Sequence, residues 1–73
     1  MGELTEREHQ LVKAINLTAK AIDIGAVPRQ SMRREVLNRY AGVEKLRDIK
    51  DVKTFKKLNR QLRKIIKEHK TNE

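Results

Sequence analysis

The sequence predicts an all-α fold: a small bundle of three or four helices ending in a long basic helix. Three observations predict it. Apolar residues recur at i, i+3, i+4 and i+7 steps over most of the chain, the spacing of one helix face. Helix start and stop signals punctuate these stretches at Thr5 with Glu8, at Gly25 with Pro28, and at Gly42. Period-2 alternation and hairpin turn pairs are missing, which argues against strands. With 73 residues the chain is read as one domain. A core that small depends on well-packed helices or on a second copy.

The first helix is expected over about residues 5–24. Thr5 and Glu8 form the S/T-x-x-E capping box, which satisfies two orphan backbone donors. Leu11, Val12, Ile15, Ala19 and Ile22 make one apolar stripe, and Ala14, Leu17, Ala21 and Ile24 make a second. Lys13, Asn16, Lys20 and Asp23 take the remaining side. So wide an apolar surface belongs at the centre of a bundle or against a partner chain. Gly25 supplies the left-handed cap.

The second helix is expected over about 28–41. Pro28 suits the first turn because its φ is already helical. Met32, Val36, Leu37, Tyr40 and Ala41 define the inner face, and Gly42 ends the helix. Its outward face carries Gln30, Ser31, Arg34, Glu35, Asn38 and Arg39. Val43, Leu46 and Ile49, three apart, predict a short helix over 43–49. Asp48 or Asp51 then caps a long helix over 51–69, with residues 70–73 as a frayed tail.

That last helix holds the clearest functional signal. Lys53, Lys56, Lys57, Arg60, Arg63, Lys64, Lys67 and Lys70 fall on one arc of about 140° at roughly 100° per residue. Val52, Phe55, Leu58, Leu62, Ile65 and Ile66 fall on the neighbouring arc. Net charge rises along the chain, from −1 over residues 1–28 to +4 over 29–50 and +5 over 51–73, for a total of +8. Such asymmetry points to nucleic acid, an anionic membrane or an acidic protein as partner.

Several function classes find little support. There is no cysteine, so no disulfide framework or thiolate metal site is available. No apolar run approaches the ~20 residues that span a bilayer. The opening MGELTEREHQ is acidic and polar and does not read as a signal peptide. A cytoplasmic location is expected, or a nuclear one in a eukaryote. His9 and His69 are isolated among charged residues and read as surface histidines. The pairs Glu6/Glu8 and Asp48/Asp51 read as helix-start charges. Gly2, Gly25 and Gly42 are too far apart to cradle a phosphate. Neither catalytic residues nor metal or cofactor ligands are therefore assigned, and the chain is not expected to be an enzyme.

The expectation is a small DNA-binding protein, regulatory or accessory. Lys53, Lys56, Lys57, Arg60, Arg63, Lys64 and Lys67 are the candidate phosphate contacts. The strip is poor in base-reading residue types, so specificity is sought on the second helix. Gln30, Ser31, Arg34, Asn38 and Arg39 are the candidate base contacts. Ala21, Gly25, the turn Ala26-Val27-Pro28, Met32 and Val36 resemble a helix-turn-helix over residues 15–40. That resemblance implies that the second helix enters the major groove. Ser31 and Arg34 depart from the pattern, standing where it has apolar residues unless the turn is one residue longer. The run from Leu37 to Leu46 is similar to the approach to a helix-hairpin-helix, but no glycine follows Gly42 to make the hairpin.

The main alternative is a protein-binding adaptor or inhibitor. The apolar surface of the first helix would meet a second copy or a partner, and the strip an acidic protein. RNA is a third option, weakened because Tyr40 and Phe55, the two aromatic residues, are expected in the core. Membrane binding is disfavoured because the last helix needs its apolar stripe for the core.

Overall fold

In the computed structural model, which describes residues 2–71, the elements are helical and no strand occurs among the described residues. The first helix, α1, runs Glu6–Asp23. Thr5 starts it as the sequence predicts. The Glu8 backbone N–H donates to Thr5 Oγ1 at 3.1 Å, and the Thr5 N–H donates to Glu8 Oε1 at 2.8 Å. Gly25 ends it at φ +80°. Its N–H reaches the Ile22 carbonyl at 3.1 Å, and the Ala26 N–H reaches Ala21 at 2.9 Å, which is the Schellman pattern.

The second helix begins as α2, Arg29–Met32. Pro28 stands one position ahead of it, at the N-cap with ψ 143°, rather than inside the first turn. From Arg33 to Ala41 the helix widens to π geometry, which the apolar spacing did not predict. Long π stretches are uncommon because their hydrogen bonding is rarely favoured over the α form. Here Asn38 supplies extra bonds: its Nδ2 donates to the Arg33 carbonyl at 2.8 Å and to the Val43 carbonyl at 3.1 Å. Gly42, at φ +67°, then turns the chain out of the helix.

A helix over 43–49 does not form. The segment keeps only a single 3₁₀ turn, Leu46–Asp48. Lys45 and Ile49 are extended on either side of it, and Ile49 is buried. Seven residues are too few for a stable helix without strong packing. Arg7 of α1 ties this segment down instead, donating to the Ile49 carbonyl at 2.8 and 3.0 Å and to the Arg47 carbonyl at 3.1 Å.

The last helix, α3, runs Val52–Thr71. Asp51 caps it, accepting from the Thr54 N–H at 3.0 Å and from the Thr54 hydroxyl at 2.7 Å. Lys70 and Thr71, expected in a frayed tail, are helical, and the Thr71 hydroxyl donates to the Lys67 carbonyl at 2.9 Å. The rest of that expected tail, residues 72 and 73, lies outside the described residues.

Helix α3 is the hub, since both α1 and the π segment pack chiefly on it. Phe55, Leu58 and Leu62 are fully buried, each contributing about 1.5–3 kcal/mol of apolar burial. Ala14 and Ala21 of α1 are fully buried too. Side chains that small let two helix axes approach closely. Val36, Leu37 and Met32 close the core from the second helix, with Val27 and Ile49 from the loops. Of the two α1 stripes, the one through Ala14 and Ala21 faces this core. Val12 and Ile15 from the other are 45% and 49% exposed, so α1 lies at the side of the bundle, not its centre.

Candidate nucleic-acid interface

A helix of 20 residues is about 30 Å long. All eight strip cations are exposed along it: Lys53, Lys56, Lys57, Arg60, Arg63, Lys64, Lys67 and Lys70. The helix contains one acidic residue, Glu68. The apolar arc beside the strip is consumed by the core, so the strip faces outward for a simple reason: burying unpaired ammonium groups costs far more than hydrating them.

The strip divides at its middle. Lys53, Thr54, Lys56, Lys57 and Arg60 line one cleft of about 450 Å³. Arg63, Lys67 and Lys70 line another of about 450 Å³, together with Ile66, Thr71, and Leu17 and Lys20 of α1. Lys64 is exposed and lines neither. Lys56 lies 3.9 Å from Glu6 across α1 and α3. Both partners are more than half exposed, so the pair contributes little and leaves Lys56 able to exchange partners.

On the second helix, Gln30, Ser31 and Arg34 come together around a depression of about 260 Å³, with Arg33 and Glu35. Asn38 and Arg39 do not join them. The Asn38 amide nitrogen donates to the backbone carbonyls of Arg33 and Val43 on either side of it. Only its oxygen remains for a ligand, whereas the usual adenine contact needs donor and acceptor together. The Arg39 guanidinium lies 5.5 Å from the centre of the Tyr40 ring, a cation–π contact.

Sequence reasoning missed two cationic lining residues, Arg33 and Lys20. Arg33 was findable, because it sits on the exposed arc next to Arg34. Lys20 was not, because its place beside Lys67 and Lys70 arises only when α1 packs on α3. Its ammonium is held below the usual lysine range chiefly by the nearby Lys70 amine, with a smaller desolvation effect. Among the described residues no group of three His, Cys, Asp or Glu side chains could hold a metal ion, and no helix is long and apolar enough to cross a membrane.

Comparison with known proteins gives no match: no family model, curated protein or solved structure resembles this chain significantly.

Proposed function

We propose that this protein binds duplex DNA, with α3 as a phosphate clamp and the second helix as the base reader. The observation that carries the reading is the set of eight exposed cations on one side of α3. Duplex DNA offers about one negative charge per 1.7 Å of axis, and each neutralised phosphate releases counterions. Eight cations along a helix of about 30 Å give about one charge per 4 Å, close to the phosphate spacing of a single strand, about 3.4 Å. Gln30, Ser31 and Arg34 share one depression and are residue types that bond base edges. They are the readers in this proposal, in the manner of a helix-turn-helix, with Asn38 in a supporting role. A regulatory or accessory task in the cytoplasm, or in a eukaryotic nucleus, follows from such binding.

The test is fluorescence anisotropy on labelled duplexes over a salt series. Lys57, Arg60 and Lys64 are exposed and distant from the core, so replacing all three by Gln leaves the fold intact. The triple variant binds every duplex more weakly, and the slope of log K against log salt flattens by about 2–3. Equal affinity and equal slope in that variant would overturn the clamp. Arg34→Ala instead narrows the gap between preferred and random sequence by about 1–3 kcal/mol. A matched RNA hairpin, run alongside, reports whether RNA is the better ligand.

A protein partner is the second reading, and a specific observation favours it. Leu4, Val12 and Ile15 are 45–49% exposed on one side of the molecule. Sedimentation equilibrium of the wild type and of Val12→Glu/Ile15→Glu tests whether a second copy covers that face. An associating wild type and a monomeric variant support it.

A further inference from the structure

The cleft between the C-terminal halves of α1 and α3 has a makeup that duplex binding does not call for. Its floor is apolar: Ile66 is 7% exposed and Leu17 is half-buried. Its rim holds Lys20, Arg63, Lys67 and Lys70, and no lining residue is acidic. Lys20 comes from α1, off the strip, and faces Lys70 across the opening. Lys20 and Lys70, from different helices, line the same opening, and the nearby Lys70 charge holds the Lys20 ammonium below the usual lysine range. Two like charges brought together from different helices repel each other. An anion seated between them would convert that repulsion into two charge-assisted hydrogen bonds.

The form of that anion follows from the geometry. Each ammonium offers three donors, and the Arg63 guanidinium offers a planar fork suited to two oxygens of one phosphoryl group. A diester phosphate carries a single negative charge. A terminal phosphoryl group carries about −1.5 to −2 near neutrality and has three free oxygens. Converging cations favour the higher charge. A volume of about 450 Å³ leaves room beyond the phosphoryl group itself, and falls within the range usual for small-ligand sites. We infer that this cleft binds a phosphomonoester, its phosphoryl group held by Lys20, Lys70, Arg63 and Lys67 and its organic group resting on Leu17 and Ile66. The inference does not rest on duplex binding, although Arg63 and Lys67 belong to both surfaces.

Calorimetric titration of the whole protein with phenyl phosphate, phenyl sulfate and inorganic phosphate tests it. Phenyl phosphate binds saturably. Phenyl sulfate, of the same shape but singly charged, binds more weakly, and so does inorganic phosphate, which lacks the ring. Lys20→Gln, at an exposed position, weakens phenyl phosphate by about tenfold or more, and Lys70→Gln does the same. The Lys57→Gln/Arg60→Gln/Lys64→Gln variant keeps phenyl phosphate binding even where it loses the duplex, so either reading can fail alone. Lack of saturable binding, or binding indifferent to Lys20→Gln, would sink the proposal. Two further comparisons identify the source of the group: adenosine 5′-monophosphate against adenosine, and a 5′-phosphorylated single strand against its 5′-hydroxyl form. A larger gain for the strand assigns the cleft to nucleic-acid ends, and a larger gain for the nucleotide assigns it to free nucleotides. No gain from the phosphate in either pair overturns the inference.

Discussion

Asn59 is fully buried on α3, and its amide donates to the Gln10 backbone carbonyl at 3.2 Å and to Gln10 Oε1 at 3.0 Å. Its own Oδ1 has no partner among the described residues. Gln10 in turn donates to Glu6 at 3.2 Å. A polar pair in an otherwise apolar seam fixes which turn of α1 meets which turn of α3, because any slip leaves more groups unpaired. Asn59→Leu strands the Gln10 oxygen and costs about 1–3 kcal/mol in urea unfolding. Adding Gln10→Leu returns most of that loss, since removing both partners is far cheaper than removing one. Charge matters at a second position. Hydrogen bonds from the Thr54 hydroxyl and then its N–H hold the Asp51 carboxyl below the usual range. A carboxyl that is more acidic when folded stabilises above its unfolded pKa and loses that contribution as pH falls through the folded one. Asp51→Ala therefore lowers stability at neutral pH. The gap between wild type and variant narrows in thermal melts at pH 4 and below.

At the scale of the element, the second helix depends on Asn38 and Gly42 more than on its apolar spacing. Asn38→Ala removes both bonds that brace the wide turns, while Gly42→Ala forces a side chain into a φ of +67°. Each costs about 1 kcal/mol, or roughly 4–8 °C in melting temperature for a chain of this size. Asn38→Ala also moves Gln30 and Arg34 relative to the residues after them, because a residue advances less around a π-helix than around an α-helix. Its amide exchange thus changes across 33–41, while that of α1 does not. The contrast shows what a sequence discloses. Thr5 with Glu8, Gly25 and Gly42 act within a few residues of themselves, so α1 and the end of the second helix were legible. The core side of α3 was legible because Phe55, Leu58, Leu62 and Ile66 keep strict helical spacing. The π geometry was not, since it rests on one side chain reaching carbonyls on either side of it. The path of the chain at 47–49 is held by Arg7, some forty residues away in sequence. The strip of the candidate interface was legible as a pattern of charge. The opposition of Lys20 and Lys70 was not, because it exists only between packed helices.

For the whole molecule, α3 fills the centre of the core and also carries the cationic edge. The described residues form a slender body, 41 by 23 by 17 Å, and the full chain carries a formal charge of +8. Self-repulsion of that size destabilises the compact state, and it is concentrated on the helix that both α1 and the π segment pack against. Added sodium chloride thus raises the melting temperature, while under the proposed function it weakens attachment to DNA, a pair of opposite trends that one calorimetric series and one binding series can check. A polyanion at low salt should do more than screening can, adding RT ln(1 + [L]/Kd) to the folding free energy. On the proposed function, attachment and folding are therefore thermodynamically linked through a single helix. Alone, the protein bears an internal electrostatic load; on the proposed polyanionic ligand the same charges would become its cross-bracing, and resistance to heat or protease a direct gauge of occupancy.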